Sequence, residues 1–248
     1  MKCKQDIGMK RKVSIITPCL NSEKTIRDTI ESVLNQTYKN IEYIIVDGLS
    51  TDRTLDIVKE YEPLFQGRMR YISERDHGIY NAMNKGIRMS GGELIGIINS
   101  DDHYEADAVE TAVKHMSSAQ CQVIYGYMGV LKGSILKYIA TENHENLKNK
   151  MIPHPTCFVT RQIYQKYGLY LEWFKVAADY ELMLRLFGKD DVVFTQVKKV
   201  QAYFRLGGTS SNDKYDLERE IARVMHGGLS VGVFLKKALI FEIQKSQI

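Results

Sequence analysis

Four short apolar runs, each followed by a polar turn or a segment of helical period, constrain this chain more than any other feature. They are Lys12–Thr17 (KVSIIT), Ile41–Asp47 (IEYIIVD), Met69–Ser73 (MRYIS) and Glu93–Asn99 (ELIGIIN). Runs of this length, rich in β-branched residues, read as buried strands. After the first, Ile26, Ile30, Val33 and Leu34 recur at helical spacing, with Asn21 or Ser22 as cap. After the second, GLSTDRTLDIVKEY reads as a turn and a helix capped near Ser50 or Thr51, with Asp52 in its first turn. GIYNAMNKGIRMS reads as a third helix, and Ala108, Val109, Ala112, Val113 and Met116 mark a fourth. This alternation predicts an α/β fold: a doubly wound, mainly parallel sheet with right-handed crossovers and helices on both faces.

Beyond about residue 115 the pattern changes. CQVIYGYMGVL and SILKYI predict a smaller antiparallel excursion, and ENHENLKNKMIPHPT is polar and irregular. CFVT reads as a short strand, RQIYQKYG and AADYELMLRLF as helices, and DVVFTQVKKVQAYFRL as a strand. GGTSSNDK is a loop, and the tail from about Leu217 is helical. No linker-like stretch divides the 248 residues, so a single domain is expected.

Composition narrows the function. Hydrophobic content of 44% and charged content of 26% suit a globular core. A net charge of +4 is too weak to argue for nucleic acid, but it suits an anionic ligand or an acidic membrane face. Cys3, Cys19, Cys121 and Cys157 have neither metal-ligand nor redox spacing, so reduced thiols in a cytoplasmic setting are expected. MKCKQDIGMKRK lacks the apolar stretch of a secretory signal. No run approaches the roughly 20 apolar residues of a spanning helix.

In open α/β sheets ligands bind at the carboxyl ends of the strands. Thr17-Pro18, Asp47 and Asp101-Asp102 all fall there. Crowded carboxylates repel unless protonated or shared by a metal. A hard cation such as Mg²⁺ or Mn²⁺ takes one or two carboxylates plus phosphate oxygens. The expected ligand is therefore a nucleoside diphosphate carrying a transferable group. The first strand is followed by no Gly-x-Gly-x-x-Gly and no Gly-x-x-x-x-Gly-Lys-Ser/Thr, which argues against dinucleotide oxidoreductases and P-loop enzymes. It carries no Asp at its end either, which argues against an aspartyl-phosphate enzyme.

The stretches VSIITPCLN, IEYIIVDGLSTDRT, NKGIRMSGGELIGIINSDDHY and AADYELMLRL resemble family 2 glycosyltransferases of the GT-A fold, in the family's order. ERDHGIYNAMNKGI is similar to bacterial members that build exopolysaccharide, capsule or O-antigen. The resemblance spans about residues 12–210. It implies that Thr17 and Pro18 border the nucleotide and that Asp47 hydrogen-bonds the base. It further implies that Asp101 touches the ribose or sugar and that Asp102 coordinates Mn²⁺ or Mg²⁺ on the diphosphate. The general base falls on Asp179; the family often writes Glu-Asp there, whereas this chain reads Ala178-Asp179. A basic residue that some members place before NKG falls near Gly78, leaving Lys85, Arg75 or Asp76 to do related work.

The implied reaction is inverting transfer of a sugar from a nucleoside-diphosphate sugar to an acceptor hydroxyl. The implied acceptor is a lipid-linked or growing glycan in cell-surface polysaccharide synthesis. On this reading about residues 12–115 form the nucleotide-sugar half, about 116–212 the acceptor side and about 213–248 a helical tail. The tail LSVGVFLKKALIFEIQKSQI has three readings: contact with an acidic membrane face, contact with another subunit, or a cover for the core. His154 and Trp173 are candidate acceptor contacts, and Gly207-Gly208 a candidate lid. His77 and His103 are further candidates for ligand contact. Each has a plainer counterpart: a loop histidine, a core aromatic, a turn. Asp47 in DGLSTD is equally good turn chemistry. Two other functions remain open. A sugar-nucleotide pyrophosphorylase would need a Gly-rich basic loop where TPCLNSEKT stands. A catalytically silent relative would lack Asp102 or Asp179, and both are present.

Overall fold

The computed structural model describes residues 11–207 and 213–236. Strands β1 (Val13–Cys19), β2 (Ile41–Asp47), β3 (Met69–Ser73) and β4 (Leu94–Ile97) lie parallel in the order β3-β2-β1-β4. All seven residues of β1 and all seven of β2 are buried. Alternate residues serve opposite faces. Ile16, Ile44 and Val46 join one core cluster, with α3 (Ile79–Met89) over it; Val13, Ile15, Tyr43 and Ile45 join the other, under α1 (Ile26–Leu34) and α2 (Thr54–Tyr61). Burial on both faces is why these strands read as continuous apolar runs. Helix α3 rides close on the sheet: a Cβ at Gly86 would stand 2.4 Å from Ile16 Cγ2, so only glycine fits.

Helices α1 and α2 start later than the cap residues predicted. The segments 20–25 and 48–53 are interlocked loops instead. Asn21 sits at φ 49°, its Oδ1 accepts from Thr51 N–H at 2.8 Å, and its own N–H donates to Ser50 Oγ at 2.8 Å. Asp52 precedes its helix and accepts from Glu23 N–H at 3.1 Å and Thr54 N–H at 2.9 Å. The polar side chains that looked like caps tie one strand-end loop to the other.

The second half extends the same sheet. β4 pairs antiparallel with β8 (Phe158–Thr160), which pairs antiparallel with β6 (Cys121–Lys132). β6 then runs parallel to β9 (Val192–Arg205), a pairing the sequence pattern did not indicate. β5 (His103–Tyr104) closes the edge beside β9, and β7 (Ile135–Ala140) folds back on β6 as a hairpin. Helices α4 (Ala108–Lys114), α5 (Arg161–Tyr167), α6 (Ala178–Leu186) and α7 (Asp213–Met225) complete the fold. Of the tail, α7 packs on α6 with Ala222 fully buried, whereas Val231, Val233 and Leu235 are exposed. Cys19, Cys121 and Cys157 are free and buried. Among the described residues no helix is long and apolar enough to cross a membrane.

The strand order fixes where a ligand site can open. From β1 the chain moves outward through β2 and β3, then returns to β4 on the other side of β1. At such a reversal the connections diverge and leave a crevice at the strands' carboxyl ends.

Candidate active site

A cleft of about 700 Å³ opens at that reversal. The loop Pro18–Thr25 after β1 and Asn99–Asp101 after β4 form its base, joined by Ser22 Oγ and Ser100 Oγ at 2.7 Å. Gly48, Asp52 and Asp76 line one part, and the start of α3 from Gly78 to Tyr80 another. His154, Lys175, Val176, Asp179 and Phe204 bring in the second half of the chain. The volume falls in the usual range for small-molecule sites, about 300–1,000 Å³.

Asp179 lies in the first turn of α6, where the helix dipole favours a carboxylate. Its Oδ1 accepts from the Tyr80 hydroxyl at 3.0 Å. Tyr80 is the second residue of α3, which follows Gly78 at φ 113°, a left-handed conformation that favours glycine. Burial, then the neighbouring Asp179, hold the Tyr80 hydroxyl protonated well above its usual range. His154 shares this wall, with Nε2 3.1 Å from the Tyr170 hydroxyl. Burial lowers its pKa against the opposing pull of Asp179, so the imidazole is neutral at pH 7.

The acidic pair is divided. Asp101 lines the cleft, and burial raises its pKa. Asp102 has no exposed surface. Its Oδ1 accepts from Arg205 N–H at 3.0 Å, and its Oδ2 is buried without a hydrogen-bond partner. Burial, then repulsion by Asp101, push its pKa well up. An orphaned buried oxygen beside a second carboxylate fits a divalent cation, which would satisfy the oxygen and restore both charges. Among the described residues no cluster of three or more metal-ligating side chains occurs. A cation held by one or two carboxylates and the substrate's phosphates needs none.

Several expected contacts lie elsewhere. The Thr17 hydroxyl is fully buried and accepts from the Tyr43 hydroxyl at 2.9 Å, so Pro18 and not Thr17 faces the cleft. Asp47 is also fully buried and does not line the cleft; both its oxygens are engaged by Ser50 and Ser73. Lys85 is tied to Asp76 at 2.7 Å, Glu74 at 2.9 Å and the Arg75 carbonyl at 2.8 Å, behind the cleft wall. Trp173 is exposed, stacked on Phe174 at 3.9 Å and outside the cleft, so it is neither a core aromatic nor a wall of the site. His77 is exposed, and His103 stacks on Tyr203 at 4.9 Å away from the cleft. Gly207 lies exposed past β9 outside the cleft lining, and Gly208 falls outside the described residues.

Sequence reasoning missed Asn21, Ser22, Ser100, Tyr80 and Lys175. The first three were legible in principle, since residues flanking the β1/β4 reversal must line it. Tyr80 and Lys175 carried no local signal.

The strand order and the crevice at its reversal follow the GT-A plan. TarS of S. aureus in complex with UDP superposes with a TM-score of 0.67 at 19% identity, over 87% of this chain and 65% of that one. The chain thus spans just under two thirds of the TarS chain. Mannosyltransferase PcManGT from Pyrobaculum calidifontis, in complex with GDP-Man and Mn²⁺, superposes with a TM-score of 0.58 at 18% identity, over 87% of this chain and 61% of that one. In sequence, a PGL/p-HBAD biosynthesis glycosyltransferase of Mycobacterium tuberculosis is 28% identical over 83% of this chain and 81% of its own. Residues 14–177 match the family described as Glycosyl transferase family 2, and the chain belongs to that family.

Proposed function

We propose that this glycosyltransferase moves a sugar, with inversion, from a nucleoside-diphosphate sugar to an acceptor hydroxyl, with Mn²⁺ or Mg²⁺ as cofactor. Asp102, with its orphaned oxygen beside Asp101 at the end of β4, carries the reading. A bound divalent cation supplies charge neutralisation to the diphosphate leaving group. Asp101 and Asp102 would hold it. Pro18, Leu20, Gly48 and Asp76 take the base, and Lys85 fixes Asp76 from behind. Asp179 accepts the acceptor's proton through Oδ2 while Tyr80 holds Oδ1. Neutral His154 lines the acceptor side beside it.

The whole chain works as one domain in the synthesis of a cell-surface glycan, on a lipid-linked or growing acceptor. The likeness of ERDHGIYNAMNKGI to exopolysaccharide enzymes supports that acceptor class. Exposed Val231, Val233 and Leu235 support contact of the tail with the inner face of the membrane. Nucleotide release from UDP-, GDP- and dTDP-sugars by the purified protein tests the reading. Slow release from one donor, stopped by EDTA and restored by Mn²⁺, is expected. Release that ignores EDTA overturns the metal role, and exchange of pyrophosphate into a nucleoside triphosphate would favour the pyrophosphorylase.

A further inference from the structure

The helix that carries Asp179 has no cap of its own. Val176, Ala177 and Ala178 lead into it, and Ala177, at the N-cap position, offers no side-chain acceptor. A helix start leaves several backbone N–H groups without intrahelical partners, and an alanine there offers none of them a side chain. The segment just before the helix is held instead by a carboxylate from α7, about forty residues further along the chain. Glu218 Oε2 accepts from Val176 N–H at 2.8 Å, Ala177 N–H at 3.1 Å and Lys175 N–H at 2.9 Å, while Oε1 also accepts from Lys175 N–H at 2.8 Å. One carboxylate thus gathers three consecutive amides. Two of those residues, Lys175 and Val176, line the cleft, and Asp179 follows two positions after the third. Charge-assisted bonds to backbone amides are among the stronger ones, and they fix direction as well as distance.

We infer that Glu218 is a positioning residue: it clamps the start of α6 and so sets where the Asp179 carboxylate stands in the cleft. The inference rests on Asp179 being the base. It concerns a residue outside the segment that matches the family, which ends at residue 177. Helix α7 has a second tie to α6, from His226 Nε2 to Glu181 Oε1 at 2.8 Å. That tie reaches the Glu181 side chain in the first turn but none of the amides that Glu218 holds, and it supplies the control.

The test compares Glu218→Ala, Glu218→Gln and His226→Ala in the full chain. Hydrogen exchange of the amides at residues 175–177 in Glu218→Ala should quicken by about tenfold, because their charge-assisted bonds are lost. Release of nucleotide from the donor found above should slow by about tenfold in kcat, with affinity for UDP plus Mn²⁺ unchanged. Glu218→Gln keeps an acceptor oxygen and should recover part of both. His226→Ala should lower the melting temperature and leave kcat in place. Unchanged exchange, or unchanged kcat, in Glu218→Ala overturns the inference. So does an equal loss of kcat in His226→Ala. Asp179→Asn runs alongside: normal turnover there removes Asp179 as the base, whereas a large loss there beside normal turnover in Glu218→Ala removes the clamp alone.

Discussion

Asp47 and Asp102 lie at the carboxyl ends of two strands of one sheet, β2 and β4, and neither has any exposed surface. They differ in what their oxygens touch. Asp47 is saturated: Ser50 donates to it from both its hydroxyl and its N–H, and Ser73 Oγ donates at 2.6 Å. Asp102 has one backbone donor at 3.0 Å on Oδ1 and none on Oδ2. The first carboxylate shapes a turn. The second is an unmet need, and a buried polar atom without a partner costs about 1–3 kcal/mol. Asp102 itself does not line the cleft, but its neighbour Asp101 does, and on the function proposed above a cation between them would remove that cost.

The largest effect that sharpens this contrast is at Asp102. Asp102→Asn keeps an acceptor for the Arg205 N–H but gives up the charge. Calorimetry with UDP should show the gain in affinity from Mn²⁺ disappear, and turnover should be lost with it. The metal-free protein should melt no lower than the parent, because a buried repulsion with Asp101 has gone. A Mn²⁺-dependent affinity equal to the parent's would dissolve the contrast.

The next effect is at Asp47. Asp47→Asn replaces one acceptor oxygen by a donor facing Ser50 or Ser73, both of which already donate there. Stability should fall by about 1–3 kcal/mol, read as an earlier midpoint in urea. Loss of nucleotide affinity should be secondary, through a displaced 48–53 loop. An unchanged midpoint with uridine affinity lost would put Asp47 against the base after all.

From sequence these two aspartates look alike, each ending an apolar run. What separates them is strand order. β3 lies beside β2, which puts Ser73 at the end of β3 against Asp47, whereas no such donor reaches Asp102 Oδ2 beyond β4. Apolar runs report burial and length, and they say nothing of which strand is whose neighbour; the parallel pairing of β6 with β9 was hidden for the same reason. The misread caps share this cause. Asn21, Ser50 and Asp52 have the right chemistry for capping but spend it on a loop thirty residues away. The segment before Asp179 shows the converse, amides held by Glu218 of α7, which no local rule could find. Local patterns sufficed for the strands of the parallel half and for Pro18 and Asp101 at strand ends, whereas Asp179 came from the family resemblance; the structure brings these with His154 to one cleft.

The smallest expected effect lies on α6 itself, where Asp179 and Glu181 repeat the contrast two residues apart. Asp179 opens to the cleft, whereas Glu181 is 1% exposed and turned toward α7. A two-residue step on a helix points side chains to different faces. Glu181 accepts from Arg185 Nε at 3.0 Å and faces His226 Nε2 at 2.8 Å. Burial alone would raise its pKa, but His226 and Arg185 outweigh it and hold it below the ordinary value of 4.5. A folded carboxyl with a lowered pKa binds its proton less readily than the unfolded one. Its contribution to stability is therefore complete above pH 4.5 and is lost as pH falls through the lower folded value. Glu181→Gln should flatten the acid limb of melting temperature against pH by a few degrees, with turnover at neutral pH unchanged. If turnover falls while the acid limb keeps its slope, the base belongs to Glu181, and the division of α6 into a catalytic and a structural face fails.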